Sequence, residues 1–273
     1  MNNRHFRVLL SATVLIAMTN GAGAALTFTG SGTNSGFGTG NTNNLLSASV
    51  SFDVTTPGIL DVVLSNTENT ASIVGSIQPS DILTGVYFNW HPSNTPALTP
   101  VSATIATGSS LVNPAYSDIG LPVAGNVGGE WGYVAGPNPA PGISSSGLSV
   151  FGGGNFNGPN LAGPGNGALD GLQYGLAPLN YNGANGNPAV NSTALVQNAV
   201  AFELSFTGAF DPSNIYGVVF QYGTATTDAT LQGIPDADIL VGVVPEPASL
   251  AIWSLLALAV GGTTCWRRRK HVA

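Results

Sequence analysis

The chain has 273 residues, of which 6 are Lys or Arg and 13 are Asp or Glu, whereas an ordinary globular protein is about a quarter charged. All six cations are terminal (Arg4, Arg7, Arg267, Arg268, Arg269 and Lys270), so the stretch from Val8 to Trp266 holds every carboxylate and no balancing charge. This excludes nucleic-acid binding, which neutralises phosphates with Lys and Arg, and leaves no residue for a phosphate-binding Lys, an Arg clamp or a Schiff base.

Residues 1–24 read as a signal peptide. Arg4 and Arg7 precede the apolar run Val8 to Met18, and Ala22-Gly23-Ala24 forms an A-x-A pattern with cleavage expected before Ala25. A run of eleven residues is too short to cross about 30 Å of hydrocarbon. The single cysteine, Cys265, lies at the other end of the chain, so the body has no disulfide.

Residues 25–243 are expected to form one β-rich secreted domain. From Leu46 to Val54 every second residue is apolar and the others are Ser or Asp, the signature of a half-buried strand. Pro57-Gly58 then turns the chain into Ile59 to Leu64, giving a hairpin. Further strands are expected at Ile82–Trp90, Ser102–Thr107, Glu130–Val134, Val200–Phe206, Ile215–Tyr222 and Asp238–Val243. With no convincing 3.6-residue periodicity in this part, the fold class is all-β: an antiparallel β-sandwich, with a jelly roll as one topology. Pro79 to Trp90 echoes Pro212 to Tyr222, each a turn followed by a strand ending in an aromatic, as two strands of one sandwich would be. From Gly136 to Asn191 the chain is dense in Gly, Asn and Pro. A structureless loop of that length is improbable in a compact domain, so part of it is expected to lie ordered over the sheet.

The body offers little chemistry. His91 is its one histidine, at a strand end before Pro92, and no G-x-S-x-G elbow accompanies it. Zinc lacks its Cys and His ligands. A carboxylate pair for glycoside hydrolysis would have to come from Glu130, Glu203, Asp170 and Asp118, although Glu203 alternates with Phe202 and Leu204 and is expected to face solvent. No cofactor and no enzymatic activity are expected. Calcium takes oxygen ligands, for which Asp236, Asp238 and Asp81 are candidates, yet they sit in no EF-hand loop and surface charge explains them equally well. Trp90, Trp131, Tyr174 and Tyr181 are candidate sugar platforms of a glycan-binding module or adhesin; core packing is the competing reading. Thr27 with Thr29 and Thr224 with Thr226 are too scattered for an ice-binding ladder.

Pro247 to Trp266 is a charge-free stretch of 20 residues, about 30 Å as a helix and so long enough to be a single transmembrane helix. Arg267, Arg268, Arg269 and Lys270 follow it and would stay cytoplasmic, which places the body outside. Before it, Val244-Pro245-Glu246-Pro247 cannot be helical and favours an extended, accessible segment. Val244-Pro245-Glu246-Pro247-Ala248-Ser249-Leu250, then an apolar span, then an Arg cluster resembles the PEP-CTERM sorting signal of bacterial surface proteins, here residues 244–270. The resemblance implies that an exosortase recognises Pro245, Glu246 and Pro247 and removes the anchor. It also implies transient contact with the inner membrane and an end point at the cell surface or in the extracellular polysaccharide matrix. Gly129-Glu130-Trp131, Gly142-Ile143-Ser144-Ser145-Ser146-Gly147-Leu148, Asp170-Gly171-Leu172-Gln173-Tyr174-Gly175 and Phe220-Gln221-Tyr222-Gly223-Thr224 are similar to phrases of exosortase-dependent surface proteins, and a non-enzymatic structural or interaction role is expected for the body.

Overall fold

The computed structural model describes residues 25–35, 43–69, 76–91, 97–135, 141–146, 161–163, 169, 171–225 and 227–236. The segments expected to be a signal peptide and a sorting signal, and the strand expected at Asp238–Val243, lie outside these residues. The domain is all-β, two sheets enclosing one core.

The first sheet has six strands: β1 (Leu26–Thr33), β2 (Leu45–Thr56), β3 (Ile59–Asn66), β5 (Thr99–Ile105), β11 (Ala199–Ser205) and β14 (Ile234–Pro235), in the order β14-β1-β2-β3-β11-β5. Alternation dictates its faces. Leu46, Ala48, Val50 and Phe52 of β2, Leu60, Val62 and Leu64 of β3, and Val200, Phe202 and Leu204 of β11 point inward and are buried. The residues between them are half-buried or exposed. The β2–β3 hairpin turns at Pro57-Gly58, where Gly58 has φ +84°, a left-handed conformation that a Cβ would oppose. Because β1, β2 and β3 follow one another as neighbours, this sheet begins as a meander, not with the alternation between sheets that a jelly roll requires; the tight hairpin leaves no chain to cross over.

The second sheet has eight strands: β4 (Leu83–Trp90), β6 (Ser110–Val112), β7 (Gly132–Val134), β8 (Gly142–Ser144), β9 (Leu176–Ala177), β10 (Leu195–Gln197), β12 (Ile215–Tyr222) and β13 (Thr230–Gln232). Six follow the order β13-β12-β4-β9-β10-β6, and β8 joins β4 to β7. The two echoing segments are adjacent antiparallel partners, β4 and β12, each entered through a 3-10 turn, Pro79–Asp81 and Pro212–Asn214. Between the named strands pairing is antiparallel except that β9 and β10 run parallel, which the long crossover between them permits. Other boundaries also move. Glu130 belongs to a 3-10 turn, Gly128–Glu130, and the strand starts at Gly132; β5 ends at Ile105, before a turn through Gly108 at φ +85°.

Aromatic rings pack the core within and between the sheets. Phe28 packs edge-on against Phe52 at 6.1 Å, Phe52 against Phe88 at 4.9 Å, and Trp131 against Phe202 at 4.9 Å, pairs worth about 0.5–1.5 kcal/mol each beyond their buried area. A smaller core of Ile77, Ile82, Ala177, Tyr181, Val190 and Leu195 forms separately. Leu195 and Ala177 belong to it while their neighbours Val196 and Leu176 belong to the main core, so alternation places it on the outer face of the eight-stranded sheet. The chain after Gly171 thus lies ordered over that sheet, including a four-residue helix, Pro188–Asn191, capped by the Asn187 side chain accepting from the Val190 amide.

The registers define two ends. Leu26, the β2–β3 turn, Thr99, Ser205 and Asp236 share one; Thr33, Leu45, Asn66, Ile105 and Ala199 share the other. Asn66 donates to the carbonyls of Asp81 and Leu176, so β4 starts at the Asn66 end and runs to Trp90 at the Leu26 end.

Candidate functional site

Asp81 stands at the centre of the most elaborate polar arrangement. It closes the 3-10 turn before β4 by accepting from the Gln78 amide at 2.8 Å. Asn34, just past β1, donates to its Oδ1 at 2.7 Å, and Asn44, just before β2, donates to its Oδ2 at 2.8 Å. The Asn44 amide donates in turn to the Asn34 side chain at 2.7 Å. All three side chains are buried. Burial pushes the Asp81 carboxyl above its usual value of 3.8, and the bonds from Gln78, Asn44 and Asn34 work against that shift. The carboxylate therefore ties the β1–β2 connection to the start of β4, and its oxygens already accept from three donors. Asp236 is exposed at the opposite end of the sheets from Asp81, so these two calcium candidates are not brought together, and Asp238 lies outside the described residues. Among the described residues no group of three or more His, Cys, Asp or Glu could hold a metal ion.

The acids considered for hydrolysis stand in different surroundings. Glu130 is fully buried, Asp118 is exposed in the loop after β6, Glu203 is exposed on the outer face of the six-stranded sheet, and Asp170 lies outside the described residues. Glu130 and Asp118 share one neighbour, Tyr174: burial pushes its phenol up, the hydrogen bond with Ser117 opposes this, and both carboxylates push it further up. Glu203 accepts from Ser102 at 2.9 Å and pairs across β3 with Asp61, which pairs across β2 with Asp53. Three carboxylates thus form a row over three neighbouring strands, an arrangement of like charges that costs stability.

Trp90, Trp131, Tyr174 and Tyr181 are all buried, Trp90 being the most accessible at 9 %. They pack the two cores and present no flat ring to a sugar. Thr29 is exposed and Thr27 half-buried on β1, while Thr226 lies outside the described residues. His91 is exposed at the end of β4, its ring 5.8 Å from that of Tyr216.

The residues expected to carry sorting (Val244, Pro245, Glu246, Pro247, Arg267, Arg268 and Arg269) lie outside the described residues, as do Ala22 and Ala24; Ala25 is exposed. What the structure adds is where the chain leaves for those segments. β14 pairs antiparallel with β1, Phe28 opposite Pro235 and Thr29 opposite Ile234. One residue further on, the Asp236 amide donates to the Thr27 carbonyl at 2.8 Å. The first and last described strands are therefore side by side, and the described chain begins and ends at the same end of this sheet. Sequence reasoning missed this: a strand of two residues has no periodicity to read, and β1 is broken up by Gly30 and Gly32. No family model, curated protein or solved structure matches this chain.

Proposed function

We propose that this chain is an exported bacterial surface or matrix protein, sorted by an exosortase through residues 244–270, whose β domain has a non-enzymatic structural or interaction role. The order of Pro245-Glu246-Pro247, apolar span and Arg cluster supports the sorting step. The structural observation that carries the reading is the pairing of β1 with β14. A domain whose two described ends lie at one edge can hang from a membrane by either terminal segment without strain, and removing both segments leaves every described strand in place. The acidic, cation-free surface suits a polysaccharide matrix bridged by divalent ions.

The test is mass spectrometry of the protein from cells with and without the exosortase. With the enzyme, surface material is expected to lack Arg267 to Lys270; intact tails on surface-exposed protein overturn the sorting assignment.

A further inference from the structure

Two Asn-Gly pairs, Asn182-Gly183 and Asn185-Gly186, stand in the segment that lies over the outer face of the eight-stranded sheet. An Asn before Gly is the pair in which the following backbone nitrogen most easily reaches the side-chain amide, because no Cβ obstructs the approach. By sequence the two pairs are equivalent; their surroundings make them different. Asn182 is exposed, and its Oδ1 accepts from the Ala184 amide at 2.9 Å, an Asx turn that folds the side chain over the peptide bond to Gly183. Among the described residues the Gly183 amide donates to no acceptor. Asn185-Gly186 is clamped from both sides instead. The Gly186 amide donates to Asn191 Oδ1 at 3.1 Å, and Asn191 Nδ2 donates back to the Gly186 carbonyl at 2.8 Å. The Ile77 amide donates to the Asn185 carbonyl at 2.9 Å, and the Ile77 carbonyl accepts from the Asn187 amide at 2.8 Å. Asn185 Oδ1 is itself buried.

We infer that Asn182 is a site of self-modification, its side-chain amide converted by water to a carboxylate in the folded protein, and that Asn185 is protected from the same reaction. The Gly183 nitrogen gives its proton to solvent hydroxide and bonds to Cγ of Asn182. The side-chain nitrogen takes up a proton and leaves as ammonia, which closes a cyclic imide. Water then opens the imide at either carbonyl, leaving Asp at 182 or an isoaspartyl link in which the backbone runs through Cγ. Water is the only co-reactant, so the reaction is independent of where the protein is sorted. The Ala184 N–H already points at the oxygen on which negative charge develops during the attack, the place of an oxyanion donor. At Asn185 the attacking nitrogen is held by Asn191, and the chain must open locally before it can turn on the side chain. Each conversion adds a carboxylate to a body that has no Lys or Arg to balance it.

The full-length chain is aged in mildly alkaline buffer, once folded and once in urea, and the peptide that carries both sites is sequenced by fragmentation mass spectrometry. This keeps it apart from the pairs Asn157-Gly158 and Asn166-Gly167, which lie outside the described residues. In the folded protein conversion at Asn182 is expected to exceed that at Asn185 by at least about tenfold, the factor that about 1.4 kcal/mol of local opening supplies. In urea the two rates should converge. Asn191→Ala, which frees the Gly186 amide, should speed conversion at Asn185 and leave Asn182 unchanged. Equal rates in the folded protein, a faster reaction at Asn185, or an Asn182 that reacts only in urea overturns the inference from the wild-type chain alone. A folded Asn191→Ala variant with Asn185 still slow overturns the protection by Asn191.

Discussion

Replacing Asp81 by alanine removes one acceptor group from three donors at once: the Asn34 and Asn44 side chains and the Gln78 amide. A hydrogen bond to a charged group contributes about 1.5–3 kcal/mol, so the three together would exceed 4 kcal/mol. Two effects reduce the loss: the burial cost of the carboxylate disappears, and water can enter the space. The net cost is about 3 kcal/mol, which for a domain of this size lowers the melting temperature by about 6–12 °C at 2–4 °C per kcal/mol. Asp81→Asn keeps the shape but turns an amide donor towards one of the existing donors, and should cost about half as much. The pH dependence provides a second check. Because the folded carboxyl titrates above its usual 3.8, the folded state holds its proton more tightly than the unfolded chain does. The stability Asp81 contributes is then full below 3.8 and declines as pH rises through the folded value. The stability gap between wild type and Asp81→Asn should therefore be widest below pH 4 and narrow towards neutrality. Thermal unfolding by circular dichroism from pH 3 to 7 measures it. A loss under 2 °C for Asp81→Ala, or a gap that widens with pH, refutes the reasoning.

Trp131→Ala should cost about 3–5 kcal/mol in urea unfolding, as for other large buried aromatics; an unchanged midpoint would contradict its place against Phe202. At Gly128 an added Cβ would sit 2.4 Å from the Ala162 carbonyl oxygen, so Gly128→Ala should destabilise by at least about 2 kcal/mol, whereas Gly208→Ala, with open space around it but φ +94°, should cost only about 1 kcal/mol. Asp53→Asn relieves the carboxylate row and should stabilise by a few tenths of a kcal/mol at low ionic strength, an effect that fades in 0.5 M salt; a gain that persists in salt points to packing instead of charge.

Strands with a strong apolar signal were legible from sequence: β2, β3 and β11, which alternate at period two, and β4 and β12, which carry runs of apolar and aromatic residues, all fall within a few residues of their expected spans. β6, β8, β9, β13 and β14 were not, since two or three residues hold no period and their placement is decided by the longer strands they pair with. The outward side of Glu203 could be read from Phe202 and Leu204. The burial of Glu130 could not, because it closes the turn Gly128–Glu130, which lacks alternation. The Asp81 arrangement was hidden for a different reason: Asn34, Asn44 and Asp81 are far apart in the chain, and each alone looks like a solvated turn residue.

The pairing of β1 with β14 also bears on how the chain assembles. Synthesis delivers the N-terminal strand first, and β2 can satisfy only one of its two edges. The other edge stays a bare row of amides and carbonyls until Ile234 arrives, some two hundred residues later. Such a row is a template for any passing strand, so the first segment made is the last to be protected. When the cover comes it is two residues long and ends on Pro235, which has no N–H to offer a further strand. The same short segment finishes the sheet and blunts it. A chain cut before Ile234 would keep nearly all of its core yet leave β1 open to recruit a strand from another copy.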